Sequence, residues 1–325
     1  MDLHSVGLHH ASPPALQVPV AAAPALASTG IADLLRGPLR PASVISIFPT
    51  AIYLRAEPLL YPDRHGYPDR HVYPDRHGAD GPARRQSAVV AILTSDASRL
   101  PLGAILHRPS SDRPLIRSRG PLNAFLGDGR ITVGPLTVRA SGWWDPRPRL
   151  PSNAPALLPE GMRQLRSAVS DRLHGSVRDV PVELCGQLGS LRAALRRNDV
   201  TAALRAGQRM IGLGPGLTPA GDDLLCGVLS GLTLLGHPQA ARIGAGILAL
   251  APGRTTDLSL ALLRHATLGQ VNSELGYVIQ ALAGTGRLHG ALERLFAVGH
   301  TSGIALGLGL SAAVDLTSRS TRIRG

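Results

Sequence analysis

Between Gly212 and Leu235 the chain reads Gly-Leu-Gly-Pro-Gly-Leu-Thr-Pro-Ala-Gly-Asp-Asp, followed by an almost wholly apolar run from Leu224 onward. Glycines at 212, 214 and 216 leave the backbone uncovered and free to take positive φ. Thr218 before Pro219 has the form of a helix N-cap followed by a first helical residue. The apolar run then predicts a buried helix, and only a chain able to build a large core can accept one. A Gly-rich loop ahead of a helix is also a natural anion site, because free N–H groups and the helix dipole point out of it. Asp222 and Asp223 complicate that reading. They compensate the dipole, yet they repel a bare phosphate unless a cation such as Mg²⁺ intervenes. Two readings stay open: a capped helix start with two dipole-compensating acids, or an anion site with Mg²⁺ on Asp222 and Asp223. No lysine follows the loop, so it is not a Walker A loop.

The rest of the pattern is strands first and helices second. Residues 1–42 are expected to be disordered or weakly ordered over the Ala/Pro/His-rich stretch 1–30, with a short helix over Ile31–Arg36. Residues 43–150 form a β-rich domain, with a β-like run at 43–54 and strand signals at Ser87–Thr94, Leu102–His107, Pro114–Ser118 and Ile131–Trp144. Gly134-Pro135 breaks the last of these into two. Within this part, residues 61–78 repeat Tyr-Pro-Asp-Arg-His three times. A six-residue period with Tyr and Pro as its sole packing groups reads as a duplicated surface loop, and proline in every copy opposes convergence of its histidines on a metal. The stiff Asp145–Pro151 segment is the boundary candidate. Residues 151–316 carry apolar residues at helical spacing, with Asn198–Thr201, Thr256 and Ser302 as helix starts. A basic tail, 317–325, follows. The predicted fold class is α+β, with an N-terminal mostly antiparallel β domain and an α-helical C-terminal domain carrying the Gly-rich loop.

The formal charge of +12 would suggest nucleic acid, but no lysine is present and the arginines are scattered. Aromatic residues are 3% of the chain, too few to stack bases. Small anionic substrates fit this charge better. Cys185 and Cys226 have neither disulfide nor metal-finger spacing, and Cys226 reads as a small core residue. The N-terminal stretch lacks a basic n-region, and the apolar C-terminal runs are too short to span a bilayer. A cytoplasmic protein without membrane or nucleic-acid partners is expected.

Three polar helix starts stand out: Thr218/Asp222/Asp223, Arg254/Thr255/Thr256 and His300/Thr301/Ser302. Converging, they would make one pocket of backbone donors at Gly214, Gly216 and Gly221, hydroxyls, an arginine and a histidine, suited to a small carboxylate, carbamoyl or phosphate group. The alternative is three ordinary caps. His300, flanked by glycine, could act as general acid or base. His265 and Ser259 read as structural.

These blocks carry a resemblance. The 212–225 loop, Arg254–Ala266 and Val298–Gly309, with Ser43–Leu54 and Gly142–Pro146 upstream, resemble the family of the AllH-type subunit of oxamate carbamoyltransferase. The resemblance implies carbamoyl transfer in purine-ureide breakdown, with oxalurate and phosphate giving oxamate and carbamoyl phosphate, and it implies other carbamoyltransferase subunits as partners. On that reading the loop and Arg254 hold anionic oxygens, while His300 and Asp223 are the catalytic candidates. A non-catalytic assembly or ligand-sensing subunit is the alternative, because no complete nucleophile–base pair is visible. The Tyr-Pro-Asp-Arg-His insert departs from the family's pattern and leaves the substrate open.

Overall fold

The computed structural model describes residues 22–57, 88–116, 120–151, 159–175 and 181–320. The repeat at 61–78, the chain before residue 22 and the end of the basic tail lie outside the described residues.

The strands are β1 (Ala23–Ser28), β2 (Arg40–Ile47), β3 (Ala51–Ala56), β4 (Ala88–Leu93), β5 (Gly103–Leu106), β6 (Ala124–Gly127), β7 (Arg130–Val133) and β8 (Leu136–Trp144). They close into one barrel in the order β1-β5-β4-β3-β2-β6-β7-β8. This corrects the expected mostly antiparallel β domain. Antiparallel pairs do join β2 to β3, β6 to β7 and β7 to β8, but β1 runs parallel to β8 and β4 parallel to β5. The reason lies in β1. Its Ala-Pro-Ala-Leu-Ala-Ser sequence has almost no β propensity, and the barrel shapes it through partners far along the chain. Ala25 and Ala27 are fully buried, and their small side chains suit a tight barrel interior. The 43–54 run is a hairpin, β2 turning at 48–50 into β3. Gly134, at φ 51°, makes the β7–β8 turn that Gly134-Pro135 announced. The expected strand at 114–118 is not seen over residues 114–116.

The helices are α1 (Ala32–Arg36), α2 (Pro159–Gly175), α3 (Val182–Arg196), α4 (Val200–Met210), α5 (Ala220–Leu234), α6 (Ala240–Leu250), α7 (Asp257–Thr267), α8 (Ser273–Leu282), α9 (Leu288–Phe296) and α10 (Ser302–Ser320). Asp199 caps α4 by accepting from the Ala202 N–H at 2.9 Å. α5 is buried from Ala220 to Leu232, as its all-round apolar sequence requires. It lies against α10 at glycine contacts: Gly227 faces the Leu306 carbonyl, and Gly309 faces that of Leu224. Asp315 on α10 ties in Arg166 of α2 at 2.7 Å and Arg192 of α3. Among the described residues, no helix is long and apolar enough to cross a membrane.

Barrel and helices meet closely. Leu258 and Ala261 of α7 are buried in the barrel's own core. Arg55 of β3 pairs with Asp257 at 2.9 Å, and the Val271 and Ser273 N–H groups donate to the carbonyls of Pro146 and Arg99. The crossover joining the parallel strands β4 and β5, residues 94–102, runs over the helices at this junction.

Candidate functional site

The three polar helix starts do come together. The loop takes positive φ at Gly212 (73°), Gly214 (117°) and Gly216 (92°). Any side chain on Gly212 would run into the Arg254 carbonyl, so the loop lies directly on the turn that opens α7. Asp222 fastens the two. Its Oδ1 accepts from the Gly212 N–H at 2.9 Å, and its Oδ2 accepts from the Thr255 hydroxyl. Thr256 caps α7 by accepting from the Ser259 N–H at 3.0 Å, and its hydroxyl donates to the Leu217 carbonyl at 2.6 Å. Thr218 and Ser302 meet oxygen to oxygen at 3.2 Å, joining the loop to α10.

Thr218 is therefore not the N-cap of α5. Pro219 holds that position, and its carbonyl accepts from the Asp222 and Asp223 N–H groups. The Gly221 N–H is spent on the Leu213 carbonyl at 2.9 Å, and a Cβ on Gly221 would strike the Met210 carbonyl. Much of the loop's donor capacity is thus turned inward to hold its own shape. Thr255→Val leaves Asp222 Oδ2 without its donor. The expected loss is about 1–3 kcal/mol of stability, read from urea denaturation midpoints at unchanged slope.

Asp223 points the other way, into a cavity of about 580 Å³ between the barrel and the helices. The α5 wall of the cavity is Asp223, Cys226 and Ser230, which share one helix face. α7 adds Leu258 and Leu262, the α7–α8 connection adds Gln270 and Asn272, and the first turn of α8 adds Glu274. The barrel side brings Thr50, Tyr53, Asp96 and Ser98. Ser98 hydrogen-bonds Glu274, closing one side of the cavity across the junction.

The electrostatics single out Asp223. It is 5% exposed, and burial pushes its carboxyl up to about 7. The Ser302 hydroxyl pulls against this, the Asp222 charge adds to it, and the Thr218 hydroxyl opposes it. Among the described residues its Oδ2 has no hydrogen-bond partner, and neither has Ser230 Oγ. Burial likewise raises Asp222, against the hydrogen bonds from Thr255, Gly212 and Ser259. Asp96 is the opposite case: the Ser110 hydroxyl, then Thr94, hold it at about 2. Burial keeps the Cys226 thiol protonated.

Of the residues expected at the site, Thr218, Asp223 and Ser302 line the cavity. Asp222, Thr255, Thr256, Gly214 and Gly221 build the loop behind it. Arg254, Gly216 and His300 are exposed, and neither they nor Thr301 line the cavity. Both Asp222 oxygens accept from protein donors, whereas Asp223 keeps one oxygen without a partner among the described residues. Among the described residues no group of three His, Cys, Asp or Glu is placed to hold a metal. His265 is half-buried against Gln270 at 2.6 Å, a structural contact. Ser230 and Glu274 were not anticipated. Ser230 was detectable, since it is a polar residue seven positions after Asp223 in an otherwise apolar helix. Glu274 was not, because the fold alone brings it to Ser98.

No solved structure matches the chain. Residues 210–314 match the model of a family described as oxamate carbamoyltransferase subunit AllH. That span, 105 of the 325 residues, runs from the last residue of α4 into α10 and contains all three helix starts, and over it the chain is similar to the AllH-type family of oxamate carbamoyltransferase subunits.

Proposed function

We propose that this chain supplies the ureide site of an oxamate carbamoyltransferase-type assembly, in which oxalurate and phosphate give oxamate and carbamoyl phosphate. The observation that carries the reading is Asp223, a buried carboxyl with one free oxygen, facing a cavity whose helical wall comes largely from the family-matched span. A phosphate oxygen attacks the terminal carbamoyl carbon, the carbon–nitrogen bond breaks, and the departing oxamate nitrogen takes up a proton. A carboxyl titrating near 7 is protonated often enough to give that proton and basic enough to recover one from the phosphate hydroxyl. The Thr218 and Ser302 hydroxyls flank Asp223 and orient the ureide. His300 is left out of this step because its ring stands outside the cavity lining. Arg254, exposed beside the loop, is available to guide anions or to meet another subunit.

Similarity to the family supports other carbamoyltransferase subunits as partners. The test is reconstitution: this chain is combined with those subunits, supplied with oxalurate and phosphate, and assayed for carbamoyl phosphate. Product formation that requires this chain is expected. Equal turnover by the other subunits without it would remove the proposal.

A further inference from the structure

The cavity carries two unsatisfied polar groups, at opposite ends of its α5 wall. Asp223 Oδ2 and Ser230 Oγ are each buried, line the cavity and have no hydrogen-bond partner among the described residues. Polar groups left in this state are costly, so a ligand that satisfies both gains from each contact. Seven residues separate them. At 1.5 Å per residue the two sit about 10 Å apart along α5, on one face. No single amide or carboxylate reaches both.

Between them the wall is apolar. Cys226 stands on the same face of α5, and Leu258, Leu262 and Leu306 close in from α7 and α10. Arg294 of α9 is the one cationic residue among the described lining residues, and neither α5 nor α7 contributes one. A carboxylate buried at Ser230 would be held by a hydroxyl with no arginine of α5 or α7 among the lining residues, a poor exchange for its lost hydration. A neutral carbonyl there pays no such cost. The volume of about 580 Å³ lies in the range of sites for ligands much larger than a two-carbon acid.

We propose that the cavity takes an elongated neutral ligand with a ureide or primary amide N–H at Asp223, a carbonyl at Ser230 and a hydrocarbon spacer between them. Ser230 is then the residue that selects ligand length. This rests on the cavity being the ureide site and extends the substrate class of that site beyond oxalurate.

The experiment is calorimetric titration of the full chain with ω-ureidoalkanamides, each one methylene longer than the last. Affinity should rise roughly fourfold per methylene, the worth of burying one CH₂. The rise should stop once the nitrogen-to-carbonyl span reaches about 10 Å. Ser230→Ala should cost the best-fitting member roughly tenfold and flatten its advantage over the shorter ones. Ser230→Val, which narrows the far end, should move the optimum to a shorter chain. Affinity independent of length overturns the inference, as does a length profile identical in wild type and both variants. Oxalurate turnover without any length preference removes this inference alone. Length-dependent binding without carbamoyl phosphate formation removes the reaction alone.

Discussion

Asp223→Asn should make the protein more stable at pH 8 and nearly inactive in the reconstituted assembly. The carboxyl titrates at about 7 in the folded chain against about 3.9 in an unfolded one. Between those values the folded state binds more protons, so the stability contributed by this group falls as pH rises and is fully lost above 7. Three pH units correspond to a penalty on the order of 4 kcal/mol, which an uncharged asparagine does not carry. Denaturant unfolding at pH 4 and pH 8 reads the effect as a difference between variant and wild type, small at the lower pH and several kcal/mol at the higher. Asp222 is raised in the same direction, so a residual slope should persist in the variant. Turnover should fall by ~10²-fold or more, as for loss of a general acid. Equal stability gains at both pH values would show that Asp223 is not a desolvated acid. Undiminished turnover per assembled complex would leave the chain an assembly or ligand-sensing subunit.

Gly309→Ala should be as damaging as a large core deletion, although it adds one methyl group. At Gly309 the new carbon would enter the van der Waals shell of the Leu224 carbonyl oxygen, and Leu224 is itself in the buried stretch of α5. Neither backbone can retreat without opening the core, so the expected loss is about 3 kcal/mol or more. Gly189→Ala, inside α3, is the contrast. Nothing lies within 4 Å of its added carbon, and the substitution removes glycine's excess chain entropy, so a gain of about 0.5–1 kcal/mol is expected. Urea midpoints of opposite sign for the two variants are the check. Similar values for both would mean that α5 and α10 do not lie in backbone contact.

Local chemistry made parts of this molecule readable and hid others. The cap at Thr256, the helix start within Asn198–Thr201 and the turn at Gly134 are decided by residues next to one another, and all three stand as their sequences imply. β1 was invisible because alanine and proline carry no strand signal and its partners, β5 and β8, lie far along the chain. The cavity was half legible. The loop and Asp223 stand out by composition, but the polar groups facing them arrive from the 94–102 crossover and the α7–α8 connection. Thr218 shows the same limit at a single residue: its place before proline suggests a cap, whereas the fold gives its hydroxyl to Ser302. Asp222 and Asp223 look alike in sequence, yet successive helical positions face different ways, and so one became a fastener and the other a cavity acid.

The parallel seam between β1 and β8 also orders events on the ribosome. Ala23–Ser28 is made early, but one edge waits for Gly103–Leu106 and the other for Leu136–Trp144. Until Trp144 has left the exit tunnel the sheet has an open edge, and unpaired strands are the parts of nascent chains most prone to join a neighbour. The barrel can close only once β8 is made, and the first residues beyond it, around Pro146, dock on the α7–α8 connection, still to be translated.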